Sequence, residues 1–121
     1  MNEIIENDNT IESWEDDKLK LKQDLLRGIY AYGFEQPSSI QKKAILPLIN
    51  KKDIIAQSQS GTGKTGAFVI GCLQNINYDL HEPQTIILAP VRELARQIND
   101  VVKNLGNMLK IKTHFLIGGS S

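Results

Sequence analysis

The residues Ser58-Gln59-Ser60-Gly61-Thr62-Gly63-Lys64-Thr65 follow the apolar stretch Ile54-Ile55-Ala56 and end in a Gly-Lys-Thr triplet. Small residues let backbone N–H groups converge on the β- and γ-phosphates of a nucleotide. The Lys64 ammonium adds a point charge there, and the Thr65 hydroxyl is placed to ligate Mg²⁺. The run Gly66 to Leu73 can form a helix whose N-terminal N–H groups face the phosphates. The strict pattern GxxxxGKT is not met, because Ser58 takes the position of its first glycine. A plain strand-to-helix turn would use glycine for positive φ but would need no Lys-Thr pair at its exit. Ser60, Gly61, Thr62, Gly63, Lys64, Thr65 and Gly66 are therefore the candidate nucleotide-binding set, with Lys64 and Thr65 as the groups acting on the phosphates.

The elements around this loop must deliver it to a sheet edge. Leu25, Leu26, Ile29 and Tyr30 recur at helical spacing between Lys22 and Tyr32, and Gly33 follows as a C-cap. After Pro37, Ser38 can cap a second helix carrying Ile40, Ala44, Ile45, Leu48 and Ile49, which Pro47 kinks or shortens in its last turn. Three short apolar runs read as strands: Asp53 to Ala56, Thr85 to Ala89, and Thr113 to Ile117. Between them stand a helix from the phosphate loop to about Ile76 and a strongly amphipathic helix from about Arg92 to Leu109. Strands alternating with helices predict an α/β fold with parallel strands and flanking helices, in which ligands bind at the carboxyl ends of the strands. The loops Ser58 to Thr65, Pro90 to Ala95 and Gly118-Gly119 all leave strands at that edge.

With 121 residues the chain is at most one small domain. Its formal charge of zero conceals a polarity, since the first 17 residues hold seven acids and no base, leaving fourteen bases and seven acids in the remainder. An acidic leader with isolated Ile4, Ile5 and Ile11 cannot bury enough surface to offset ordering, so residues 1–13 are expected to be a disordered leader. The basic remainder is compatible with a polyanionic partner. The single cysteine, Cys72, excludes an intrachain disulfide and reads as a small core residue. No apolar run approaches membrane-spanning length and no secretory pattern is present, which predicts an intracellular protein without a membrane partner. His81 and His114 stand alone, outside any metal-ligand spacing.

Upstream of the cradle lies Gly33-Phe34-Glu35-Gln36-Pro37-Ser38-Ser39-Ile40-Gln41, and downstream lie Pro90-Val91-Arg92-Glu93-Leu94-Ala95 and Gly118-Gly119. In order and approximate spacing these resemble the Q motif, motif I, motif Ia and the double-glycine motif of the DEAD-box ATP-dependent RNA helicases. The resemblance covers roughly Trp14 to Ser121. Its stretch Leu25 to Phe34 is most similar to the translation initiation factor 4A subgroup and its exon-junction relative. These helicases tolerate a small residue in the place of Ser58. The resemblance implies a Q-motif helical region over residues 14–52 and the first part of a RecA-like P-loop domain over residues 53–121. It implies ATP and Mg²⁺ as cofactors and RNA as partner, with translation-initiation or exon-junction proteins as further partners and a cytoplasmic or nuclear location.

Residue by residue, the resemblance gives Gln41 the adenine, whose N6 and N7 edge matches a side-chain amide. Phe34 packs beside the base or supports the loop. Trp14 corresponds to an upstream aromatic that stacks on adenine in the family, or else anchors the leader to an apolar surface; Trp stands where Phe is usual, and the Lys18 to Lys22 segment is slightly longer than the family spacing. Pro90, Arg92, Gly118 and Gly119 would contact the RNA backbone. Val91 departs from the family's Thr, which removes a phosphate hydrogen bond worth roughly 0.5–1.5 kcal/mol.

Helicase catalysis also uses an acidic motif that holds Mg²⁺ and orients water, together with an arginine finger from a second domain. No Asp-Glu-Ala-Asp or Ser-Ala-Thr segment occurs in these residues. The expected function is thus that of part of an ATP-dependent RNA helicase, inactive as this chain alone, with a non-catalytic nucleotide-, RNA- or partner-binding fragment as the alternative. A small P-loop kinase would use the cradle but leaves Gln41 and Pro90 to Ala95 without a role. Unpaired strand edges predict a marginal isolated fold. A thermal transition of the chain that is cooperative and carries strand-type circular dichroism would contradict that expectation.

Overall fold

A computed structural model describes residues 10–56 and 63–116. Within them the chain forms four helices: α1 (Gln23–Ala31), α2 (Ser39–Ile49), α3 (Lys64–Asn75) and α4 (Arg92–Leu105). The most extensive helix pairing is α2 on α3, and α4 packs on α3 and α1. Ile45 of α2 and Ala67, Val69, Ile70 and Leu73 of α3 are buried together with Leu25 and Ile29 of α1. The Val, Leu and Ile side chains among them each gain roughly 1.5–3 kcal/mol by leaving water.

The helix ends follow local chemistry. At α1, Gly33 takes φ +103, its N–H donates to the Tyr30 carbonyl, and the Phe34 N–H donates back to the Ile29 carbonyl. This pair of bonds is a Schellman motif, and the left-handed conformation at its centre is why Gly stands at position 33. The same motif closes α2, where the Lys51 N–H donates to Leu48 and the Lys52 N–H to Pro47. Here the left-handed position is held by Lys51, at φ +62, although a Cβ is unfavourable there. Pro47 lies inside α2, which ends at Ile49 as the expected shortening requires. The amphipathic helix α4 ends earlier than the apolar periodicity suggested. Gly106 is its C-cap, and Met108 and Leu109 fall in the turn that follows.

Gly28 permits the closest approach in the helical core. A Cβ there would collide with the backbone carbonyl of Leu105, so α1 and α4 touch main chain to side-chain-free main chain. Tyr78 closes the other end of α3 by donating its hydroxyl to the Leu73 carbonyl, and burial pushes its phenol up to about 12. Burial likewise raises the thiol of half-buried Cys72, consistent with a packing role rather than a reactive one.

Two expectations meet a different geometry. No strand occurs among the described residues: Asp53 to Ala56, Thr85 to Ala89 and residues 113–116 run without ladder pairing. Several of their apolar side chains stay in solvent, with Ile55 at 102 % exposure, Ile86 at 82 % and Leu88 at 88 %, whereas Ile54 is partly buried against the core. An extended segment becomes a strand only when a neighbour takes up its N–H and C=O groups, and these three segments do not pair with one another. The second difference lies in the leader. Ile11 is fully buried and its N–H donates to the Lys42 carbonyl, so order begins before residue 13. Ile11 finds a place because the α2 backbone and the Trp14 side chain lie beside it in the same cluster, which its isolation in sequence concealed.

Replacement of Lys51 by Gly removes the left-handed strain at the end of α2. Lys51→Gly is expected to stabilise the fold by about 1 kcal/mol, read as a raised urea midpoint with unchanged slope. An unchanged or lowered midpoint would contradict the strain.

Candidate nucleotide site

The site is assembled where α2 and α3 begin. Ser38 is the N-cap of α2, and its Oγ accepts from the Gln41 N–H while the Gln41 Oε1 accepts from the Ser38 N–H at 2.8 Å. This reciprocal capping box fixes the Gln41 side chain as well as the helix start. The remaining end of the same amide reaches across to α3. Gln41 Nε2 donates to the carbonyl of Gly63 at 3.3 Å, the residue immediately before Lys64. Gln41 is 2 % exposed and is the buried polar side chain of the described core, so leaving either half of its amide unbonded would cost on the order of 1–3 kcal/mol.

Gly63 is the N-cap of α3 with φ +92, and its carbonyl accepts the first helical bond, from the Ala67 N–H at 2.9 Å. A Cβ at Gly63 would stand 2.5 Å from Gln41 Nε2 and 3.2 Å from Ser38 Oγ. Both the backbone conformation and the space therefore demand glycine. Gly63 offers the first turn of α3 no side-chain cap, and Lys64 and Thr65 on that turn are half-buried. Gly66, one residue further on, lies under both neighbours. Its absent Cβ leaves room for the Phe34 ring edge and for Gln41 Nε2.

Phe34 is held from behind. The Trp14 indole N–H donates to the Phe34 carbonyl at 2.8 Å, and the two rings lie 6.4 Å apart at 23°. Tyr32 meets the other side of Phe34 edge-on, with ring centres 4.8 Å apart. Trp14 is 1 % exposed, so neither face is open to a base in this arrangement. A cleft of about 300 Å³ borders Trp14, but Glu15, Asp16 and Asp17 line it against Lys20 alone, the wrong charge for a polyphosphate. Asp16 is kept below the usual carboxylate range, chiefly by the N–H groups of Lys18 and Glu12 that donate to it.

The structure thus brings Trp14, Phe34, Gln41, Gly63, Lys64, Thr65 and Gly66 to one place. Ser58, Ser60, Gly61 and Thr62 of the cradle lie outside the described residues, as do Gly118 and Gly119. Pro90 and Arg92 stand at the start of α4, where Val91 is the N-cap and contributes no side-chain bond, as its missing hydroxyl requires. Ser38 was read from the sequence only as a helix cap. Its spacing to Gln41, Ser-x-x-Gln, already carried the signal of a capping box, and the structure makes Ser38 a member of the site.

A capped helix start is thus tied by a buried amide to the residue that precedes Lys64. The chain belongs to the DEAD/DEAH box helicase family, whose profile it matches over residues 38–121. It is 55 % identical over 114 residues to the ATP-dependent RNA helicase eIF4A of Yarrowia lipolytica, covering 94 % of this chain and 28 % of that protein. It is 57 % identical over 105 residues to the ATP-dependent RNA helicase FAL1 of Mycosarcoma maydis, covering 87 % and 26 %. Among solved structures, S. cerevisiae Dbp5 bound to RNA and ADP BeF3 superposes with a TM-score of 0.74 at 50 % identity, over 84 % of this chain and 26 % of that one. The chain therefore spans little more than a quarter of the curated relatives it matches. The fold shared with these helicases includes the described helices. No helix among the described residues is long and apolar enough to cross a membrane.

Loss of the Ser38 hydroxyl breaks one side of the capping box. Ser38→Ala is expected to destabilise the chain by about 1 kcal/mol, whereas Gly63→Ala meets the Gln41 amide as well as left-handed strain and is expected to cost more. Urea unfolding of the two variants beside the parent checks the order, and equal midpoints would contradict it.

Proposed function

We propose that this chain is the ATP- and RNA-contacting part of an ATP-dependent RNA helicase of the initiation factor 4A type, in which nucleotide binding and hydrolysis are coupled to RNA unwinding. The observation that carries the reading is the Gln41 amide bridging the Ser38 cap and the Gly63 carbonyl. A base reader and a phosphate reader are thereby one rigid unit. A side-chain amide carries both a donor and an acceptor, the complement of the adenine N6 and N7 edge. Lys64 would neutralise phosphate charge, Thr65 would hold Mg²⁺ through its hydroxyl, and Ser60, Gly61, Thr62 and Gly66 would present backbone N–H groups or clearance. The glycines fit this role, since a Cβ at Gly63 or Gly66 would enter the space used by Gln41 and Phe34. Bound ATP with Mg²⁺ supplies the phosphoryl group whose transfer to water drives the cycle.

RNA would lie along the start of α4, where Arg92 and the helix N-terminus meet phosphates, with Pro90 shaping the entry and Gly118 and Gly119 admitting close backbone approach. The extended segments that would form a RecA-like α/β sheet remain exposed at Ile55, Ile86 and Leu116. A loop fed by an unpaired segment is not held to the tolerance that phosphoryl transfer needs. This favours binding without turnover by the chain on its own. Translation-initiation or exon-junction proteins are the partners the subgroup suggests, and a cytoplasmic or nuclear location follows with them.

Calorimetric titration of the chain with Mg-ATP and Mg-GTP is expected to show preference for ATP and loss of binding in Lys64→Ala. Phosphate release is expected to stay at background with RNA present. Equal affinity for the two nucleotides would overturn the role of Gln41, and RNA-stimulated release abolished by Lys64→Ala would overturn binding without turnover.

A further inference from the structure

We propose that Tyr30 is a site of O-phosphorylation, and that a phosphate there releases the acidic segment before α1 from the helical core. Tyr30 lies in the last turn of α1, with 40 % of its surface open to solvent. Its hydroxyl donates to the Glu15 carboxylate at 2.8 Å, across 15 residues of sequence. The other two tyrosines are spent differently. Tyr32 meets the Phe34 ring edge-on, and the half-buried Tyr78 gives its hydroxyl to the Leu73 carbonyl. Tyr30 alone among the three joins a solvent-open phenol to an acid, and so latches the segment that carries Glu15 onto α1.

The chemistry of that bond decides what a phosphate does to it. The Glu15 carboxylate holds the phenolic proton and raises the Tyr30 hydroxyl above its ordinary value, so the pair shares one proton and one negative charge. Phosphorylation takes that proton away. The phenolic oxygen attacks the γ-phosphorus of a nucleoside triphosphate held by a tyrosine kinase, the bond to the β,γ-bridging oxygen breaks, the nucleoside diphosphate leaves, and the proton passes to the kinase's base. A group carrying a charge of about −1.5 to −2 and only acceptor oxygens then stands where the donor stood. Glu15 opens the run Glu15-Asp16-Asp17, which lines the cleft beside Trp14 with Lys20 as its base. Neighbouring cations are already engaged: Lys18 donates to the Thr10 carbonyl, Lys22 to the Gln74 carbonyl, and Arg27 pairs with Asp24 at 3.6 Å. The Glu12 to Lys42 pair, at 3.9 Å with a mostly exposed carboxylate, adds little hold. Attraction at position 15 thus becomes repulsion at the solvent side of the segment.

Trp14 is the single tryptophan of the chain and is buried in this segment, so its emission reports whether the segment stays packed. The full chain treated with a tyrosine kinase of broad specificity and Mg-ATP is expected to carry phosphate on Tyr30 in peptide mass spectra and to emit at longer wavelength. Trypsin is expected to cut it after Lys18 and Lys20 roughly ten- to thirtyfold faster than the untreated chain. Absence of phosphate at Tyr30 would overturn the site, and phosphate there with unchanged emission and cleavage would overturn the release. Tyr30→Glu is expected to reproduce both changes, whereas Tyr30→Phe, which removes the donor without adding charge, is expected to stay near the parent. Adding Glu15→Lys to Tyr30→Glu is expected to restore the parent emission and cleavage rate, because the two charges then attract. If it does not restore them, the single variant has lost its fold rather than its latch, and the proposal fails.

Discussion

A buried amide is expensive unless every end of it is bonded, and the arrangement around Gln41 is organised by that requirement. Its oxygen must find a donor, and the Ser38 N–H at the open end of α2 supplies one. Its nitrogen must find an acceptor, and the Gly63 carbonyl at the open end of α3 supplies that. Helix starts are where backbone groups lack partners inside the helix, so one side chain placed between two starts satisfies itself while joining them. The relative placement of α2 and α3 is then fixed at one end by hydrogen bonds and along their length by Ile45, Ile70 and their aliphatic neighbours.

The glycines of the site follow from the same constraint. Gly63 bends through a left-handed conformation beneath the amide, and Gly66 leaves the space into which the Phe34 ring and the amide fit. Trp14 then bears on Phe34 from the far side, drawing the segment before α1 into the core together with Ile11 and Leu19. Packing runs outward from Gln41 in layers of polar, aromatic and aliphatic contact.

The periphery has the opposite character. The amphipathic face of α4 is only partly covered, with Leu105 its one fully buried residue. The extended segments at Ile55, Ile86, Leu88 and Leu116 expose apolar side chains and unpaired backbone. Energetic order is therefore uneven: the α1, α2 and α3 contacts form a defined core, and the surfaces meant for a sheet contribute little.

Local chemistry made much of this legible from the amino-acid order. Apolar spacing and cap residues placed all four helices, because the bonds that form a helix lie within four residues of one another. Gly63-Lys64-Thr65 pointed to a nucleotide by residue type and spacing, whereas the roles of Gln41 and of Pro90 to Ala95 were implied by the family resemblance. Pairing of the extended runs was not settled in the same way, since a strand depends on a partner remote in sequence, and here apolar runs alone do not make a sheet. Nor did the sequence reveal that Ile11 and Trp14 are buried. What covers an isolated apolar side chain is remote from it in sequence, and only the packing of the segment before α1 against the helices decided that.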